Sequence, residues 1–118
     1  MIRFEETEEF RKECKRLAKK YRSLERDIER FRNVLRDTPL GTGKHFNVLT
    51  VREGMRIVKA RLSCESLRAS SLRVIYAYHE SLITIFFIEL YYKGEKEAED
   101  QRRIEEFLRS HNGDAPTN

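Results

Sequence analysis

The stretch that decides the fold reads LRVIYAYHESLITIFFIELYY and covers residues 72–92. Its two halves, 72–79 and 82–92, are rich in β-branched and aromatic residues, which favour strands. Only Glu80 and Ser81 separate the halves, so we expect an antiparallel hairpin with a short turn. The second half is too short to cross a bilayer, because a spanning helix needs about 20 apolar residues.

Further strands are predicted before this hairpin. Met55 to Leu62 has the same composition, and residues 64–71 are expected to form a longer loop that leads into the hairpin. Ile2 to Glu5 is expected to be a short edge strand. Thr38 to Thr50 contains a proline and two glycines and is therefore expected to be a loop.

Apolar residues that recur every three to four positions predict three helices. Thr7 can cap the first helix, and the second is expected to start at Ser23 and end before Pro39, so that the two form an antiparallel hairpin. The third is expected over Glu95 to Ser110, closed by Asn112–Gly113. The helical hairpin carries one apolar stripe that we expect to be core: Phe10, Leu17, Tyr21, Leu24, Ile28, Phe31 and Leu35.

The predicted fold is α+β with the element order β-α-α-β-β-β-α. The helical hairpin is expected to cover one face of a small, mainly antiparallel sheet, and the opposite face to remain open. We expect one hydrophobic core, because two independent domains within 118 residues would each bury too little surface. Residues 1–113 are therefore expected to form a single domain, followed by a flexible tail at 114–118.

Composition limits the class of protein. The formal net charge is +4, from 24 Lys and Arg against 20 Asp and Glu, so an acidic partner such as nucleic acid is favoured and the position of the charge must decide. Cys14 and Cys64 show no CxxC spacing, and no disulfide is expected. The three histidines do not group, so no metal or cofactor is expected. No secretory signal or membrane segment is recognised, which favours a cytoplasmic protein.

The charge is concentrated on the predicted strands. Lys59 and Arg61 are two residues apart, so their side chains project from one face of their strand, with Val58 and Ala60 on the other. With the cations at the ends of the next two strands, they form a predicted site: Lys59, Arg61, Arg73 and Lys93, near Tyr91 and Tyr92. Such a surface suits a phosphodiester backbone with stackable bases. Alternatively, these cations only solvate the open face of the sheet.

The order of elements, together with the strings IVKARL (57–62), LRVIYAY (72–78) and ITIFFIELYYKGEKEAED (83–100), resembles the RelE/ParE toxins of bacterial type II toxin-antitoxin pairs. The resemblance covers Phe4 to Leu108. RelE-type members cut messenger RNA, usually in the ribosomal decoding site, whereas ParE-type members bind DNA gyrase. The resemblance therefore implies a metal-independent endoribonuclease without a cofactor, silenced by an acidic antitoxin.

The resemblance also implies roles for the cations. Arg73 would stabilise the phosphorane, and Lys59 would orient or deprotonate the ribose 2′-hydroxyl. Arg61 matches a basic strand residue of the family, and Lys93 corresponds to its basic residue after the last strand.

One family feature is missing from the chain. The late tyrosine or histidine is replaced by an acidic stretch at residues 97–100, and Tyr91 or Tyr92 would have to substitute for it. This leaves two alternatives to a ribonuclease. The chain could be a non-enzymatic toxin that binds a protein target such as gyrase, or a solitary homologue that has lost activity.

Overall fold

The computed structural model describes residues 1–41, 43–68 and 70–112. Its helices and strands follow the order β-α-α-β-β-β-β-α. This order contains one strand more than the sequence predicted. The elements are β1 (Arg3–Glu6), α1 (Glu8–Lys20), α2 (Leu24–Asp37), β2 (Phe46–Arg52), β3 (Met55–Ser63), β4 (Ser71–His79), β5 (Thr84–Tyr92) and α3 (Gln101–Asn112).

The five strands form one sheet in the order β1-β5-β4-β3-β2. β1 lies parallel to β5, and every other neighbouring pair is antiparallel. The predicted α+β class and the mainly antiparallel sheet are therefore confirmed. Residues 72–92 therefore form the antiparallel pair β4–β5 inside the sheet.

The helical hairpin of α1 and α2 packs on one face of the sheet, as predicted. Thr7 caps α1, since its hydroxyl accepts a hydrogen bond from the Phe10 amide at 3.1 Å. Phe31 lies near the centre of this core, with its ring centroid 6.0 Å from that of Phe46 and 6.2 Å from that of Tyr76. All residues of the predicted stripe are buried here, together with Val58, Val74, Tyr76, Ile85, Phe87 and Leu90.

The opposite face is not open, which corrects the prediction. Helix α3 packs on it through Ile104, Phe107 and Leu108. These three residues form the apolar side of an otherwise charged helix, and burying that side against the sheet removes it from water. The second core that results includes sheet residues from three strands: Met55, Ile57, Ile75, Ala77, Phe86, Ile88 and Tyr91.

The prediction of a loop over Thr38 to Thr50 was wrong for its last five residues, which belong to β2. Strands β2 and β3 are joined by Glu53 and Gly54, whose φ angles are 37° and 81°. Positive φ at both central residues is the signature of a type I′ turn, the connection that best matches the twist of paired strands. The proline and glycines upstream favour a loop, so this hairpin was not predicted from the sequence.

Several element boundaries also differ from the prediction. β1 begins one residue later than expected, and Leu82 and Ile83 belong to the turn before β5. Helix α3 starts at Gln101 because the Asp100 carboxylate accepts hydrogen bonds from the amides of Arg102 and Arg103, at 3.0 and 3.3 Å. The predicted stop at Gly113 and the tail at 114–118 lie outside the described residues.

We expect Phe31→Ala to lower the free energy of unfolding by about 3 to 5 kcal/mol, because it empties the space between the helical hairpin and the sheet. Denaturant unfolding measures this directly. Val34→Ala, on the same helix at a position 46% exposed, is the matched control and should change stability by only about 0.5 kcal/mol. Equal effects of the two substitutions would contradict the packing described here.

Candidate functional site

Three predicted site residues form a row across the sheet. Arg61 of β3 is the direct partner of Arg73 on β4, and Arg73 is in turn the partner of Tyr91 on β5. Lys59 lies two residues before Arg61 and therefore on the same face. The predicted placement of these three cations on one face of adjacent strands is confirmed.

The cations line a pocket of about 200 Å³ at the end of the sheet that α3 leaves uncovered. We call it the cationic pocket, and its lining residues are Lys44, His45, Asn47, Lys59, Ala60, Arg61, Arg73 and Lys93. All four predicted cations are among them. Lys44, His45 and Asn47 were missed because the segment that carries them was taken for a loop. The alternation in FNVLTVR, followed by Glu53–Gly54, was the signal that could have revealed β2.

Most of the charge in this pocket is not neutralised by the protein. Within the described ranges, Arg61, Arg73 and Lys93 form no ion pair with a carboxylate. The Arg73 guanidinium is instead oriented by Ser71, whose hydroxyl accepts at 2.8 Å and whose carbonyl accepts at 3.3 Å. Like charges directly opposite each other destabilise a sheet, so the Arg61–Arg73 pair favours an anionic ligand.

Lys59 is the exception, because a carboxylate neutralises it. Its ammonium nitrogen lies 2.9 Å from Oε1 of Glu99, and the Glu99 side chain is only 13% exposed. The hydrogen bond from Lys59 to Glu99 raises the pKa of Lys59, which therefore stays protonated. Burial alone would raise the pKa of Glu99, but its hydrogen bonds, led by that from Lys59, lower it overall. Such a lysine can orient a ligand by its charge and is a poor proton acceptor.

Glu89 positions the segment that carries Glu99. Its carboxylate is fully buried, accepts a hydrogen bond from the Asp100 amide at 2.9 Å and pairs with the Lys96 ammonium. Arg103 also lies 3.9 Å from it. Glu89 pairs with Ile75 of β4 on one side. On its other side β1 ends opposite Phe87, so Glu89 has no strand partner there among the described strands.

The two tyrosines proposed to substitute for the missing family residue do not line the cationic pocket. Tyr92 lies on the opposite face, where its ring is 6.3 Å from that of Tyr21. Tyr91 lies on the correct face but is 3% exposed, and burial raises its pKa. Its hydroxyl has no hydrogen-bond partner among the described residues.

The described residues include no group of three or more His, Cys, Asp or Glu side chains placed to hold a metal ion. None of the helices in those same ranges is both long enough and apolar enough to cross a membrane. Comparisons with protein-family models, curated proteins and solved structures give no match to this chain.

The Lys59–Glu99 ion pair should make the free energy of unfolding depend on pH. The ionised Glu99 stabilises the fold at pH values above its unfolded pKa of about 4.5, and that contribution disappears as the pH falls through the lower folded pKa. Glu99→Gln should therefore be less stable than the wild type at pH 7, with the difference vanishing in strong acid.

Denaturant unfolding of both proteins between pH 7 and pH 2 measures this difference. Glu97→Gln, an exposed neighbour, serves as the control and should follow the wild type at every pH. If the free energy of unfolding of Glu99→Gln were below that of the wild type by the same amount at every pH, the ion pair would not contribute as described.

Proposed function

We propose that this chain is a toxin of the RelE/ParE kind, an endoribonuclease that cuts messenger RNA in the cytoplasm and is silenced by an acidic antitoxin. The observation that carries the proposal is the cationic pocket, in which Arg61, Arg73 and Lys93 lack carboxylate partners within the described part of the chain. The arrangement of a helical hairpin on a mainly antiparallel sheet supports the same family.

The reaction we propose is an internal transesterification. The ribose 2′-oxygen attacks the adjacent phosphorus, an O2′–P bond forms, and the P–O5′ bond breaks. The products are a 2′,3′-cyclic phosphate and a 5′-hydroxyl. The 2′-hydroxyl must lose a proton, the leaving 5′-oxygen must gain one, and negative charge accumulates on the phosphoryl oxygens in between.

The lining residues match these needs. Arg73, oriented by Ser71, and Arg61 beside it stabilise the charge of the phosphorane. Lys59, kept protonated by Glu99, orients the 2′-hydroxyl and does not deprotonate it. His45 lines the same pocket and accepts the proton, since histidine is the commonest residue for this task. The side chains of Arg61 and His45 are exposed, so water can protonate the leaving oxygen.

The proposed antitoxin follows from the same charge. A pocket with unneutralised cations attracts an acidic segment, and opposite potentials speed the encounter of two proteins. The resemblance to RelE-type members points to RNA in the ribosomal decoding site as the substrate.

Arg73→Ala should reduce RNA cleavage by about a hundredfold or more, because it removes electrostatic stabilisation of the transition state. It should leave the free energy of unfolding within about 1 kcal/mol, as is usual for a cation at the protein surface. Transcript cleavage and growth inhibition are measured together after induction in bacterial cells. Arg3→Ala makes the same change of charge on the far edge strand β1 and should retain both effects.

The same experiment distinguishes the non-enzymatic alternative. Growth inhibition by Arg73→Ala that equals the wild type, with transcripts intact in both, would reject the ribonuclease and favour a protein target such as gyrase.

A further inference from the structure

A second and larger cavity, of about 490 Å³, lies beside helix α2. Its lining combines apolar side chains, hydroxyl groups and two arginines: Asp27, Arg30, Phe31, Val34, His45, Phe46, Arg61, Leu62, Ser63, Ser70 and Ser71. We call it the α2 pocket. Phe31, Phe46 and Leu62 belong to the core under the helical hairpin, whereas Arg61, Ser63 and Ser71 lie on the face of the cationic pocket. The α2 pocket therefore lies at the edge of the sheet, between α2 and the paired ends of β3 and β4.

The two pockets meet at the edge of β3. Strand β2 starts at Phe46, the partner of Ala60, and the Arg61 amide donates to the His45 carbonyl at 3.1 Å just beyond it. Arg61 and His45 line both pockets. A chain bound at the cationic pocket can therefore continue around this edge into the α2 pocket.

The floor of the α2 pocket contains a buried carboxylate. Oδ2 of Asp27 accepts hydrogen bonds from the Ser23 hydroxyl at 2.6 Å and the Glu65 amide at 3.3 Å. Oδ1 has no hydrogen-bond partner among the described residues, although the side chain is fully buried. Within the same part of the chain, Oδ1 has only an ion pair with the Arg30 guanidinium, 3.6 Å away and beyond hydrogen-bond distance, so a ligand can supply a closer donor to this buried acceptor.

Arg30 is the charged neighbour of this oxygen. Its guanidinium lies 3.6 Å from Oδ1 of Asp27 and 3.3 Å from Oε2 of Glu65, and the side chain is 54% exposed. Arg30 can therefore swing away from Asp27 while it keeps Glu65 as a partner. The ligand's donor then takes the place of the guanidinium.

The α2 pocket can offer a flat ring its guanidinium groups, whereas the ring of Phe46 is already in contact on both sides. Phe46 stacks at 6.0 Å on Phe31, and a Cβ added at Gly41 would clash with the same ring. Val34 is 46% exposed at the mouth. Single-stranded RNA is recognised by bases that stack on aromatic rings or guanidinium planes and hydrogen-bond through their edges. In the α2 pocket the guanidinium planes of Arg30 and Arg61 supply this surface.

We propose that the α2 pocket binds a nucleobase that carries an exocyclic amino group, donated to Oδ1 of Asp27, in the nucleotide next to the scissile phosphate. This inference rests on the proposed ribonuclease function and adds a base preference to it. Cytosine fits the requirement through its amino group, whereas uracil presents a carbonyl oxygen at the same position.

The test is an NMR titration of the full chain with cytidine 5′-monophosphate and uridine 5′-monophosphate. Wild-type protein should bind the cytidine nucleotide about tenfold more tightly, since one correct base contact discriminates by that order. Shifts should appear at Val34, Phe46 and Leu62. Asp27→Asn keeps an oxygen for Ser23 and Glu65 but turns an amide donor toward the pocket, so the preference should reverse.

A second variant keeps the inference testable if Asp27→Asn does not fold. Val34→Trp fills the exposed mouth of the α2 pocket and should weaken binding of both nucleotides by about tenfold. Asn33→Trp, exposed on the same helix but outside the lining, is the matched control and should bind like the wild type.

Equal affinities for the two nucleotides in the wild type, or a cytidine preference that survives Asp27→Asn, would overturn the inference. So would a Val34→Trp variant that binds both nucleotides with wild-type affinity but no longer binds the acidic antitoxin. That result would make the α2 pocket a protein docking site. The titration involves no cleavage, so its outcome is separate from that of the proposed function. Selective binding with intact transcripts would refute the ribonuclease and keep the nucleotide pocket.

Discussion

The buried carboxylate of Glu89 is the constraint on which the cationic pocket depends. It lies in β5, next to the central strand β4, and is satisfied by the Lys96 ammonium and the Asp100 amide. Arg103 is shared between Glu89 and Glu13 of α1, so this group of charges joins the first helix, the sheet and α3. Leaving such a charge without its partners costs several kcal/mol. The segment before α3 is therefore fixed against the sheet by the contacts of Lys96 and Asp100 with Glu89.

The position of that segment determines which cation is neutralised. Glu99 precedes Asp100 and reaches Lys59, whereas Arg61 and Arg73 face each other without a carboxylate partner in the described residues. The sheet tolerates this repulsion because two cores and extensive strand pairing stabilise it elsewhere. The proposed anion site requires an uncompensated cluster of this kind, because its charges are then fixed before the ligand arrives.

Local patterns predicted much of the fold, and part of the site with it. The helical stripe that includes Phe31 and the alternation of Lys59 with Arg61 were sufficient to place the first core and the cationic face. The contribution of β2 was hidden, because Gly41, Gly43 and Pro39 suggested a loop up to Thr50. The contact of Glu99 with Lys59 spans 40 residues and depends on how Glu89 anchors the chain, so no local pattern could reveal it.

The most direct test of the central claim is to identify the ends of RNA cut by the purified chain in the presence of bacterial ribosomes, since the proposed substrate is RNA in the decoding site. A short RNA and a copy with a single 2′-deoxyribose on the 5′ side of the cut are compared by mass spectrometry. We predict 2′,3′-cyclic phosphate and 5′-hydroxyl ends from the RNA, and no cut at the deoxyribose, because the attacking 2′-oxygen is absent. Cleavage at the deoxyribose, or 3′-hydroxyl and 5′-phosphate ends, would contradict the account of the cationic pocket.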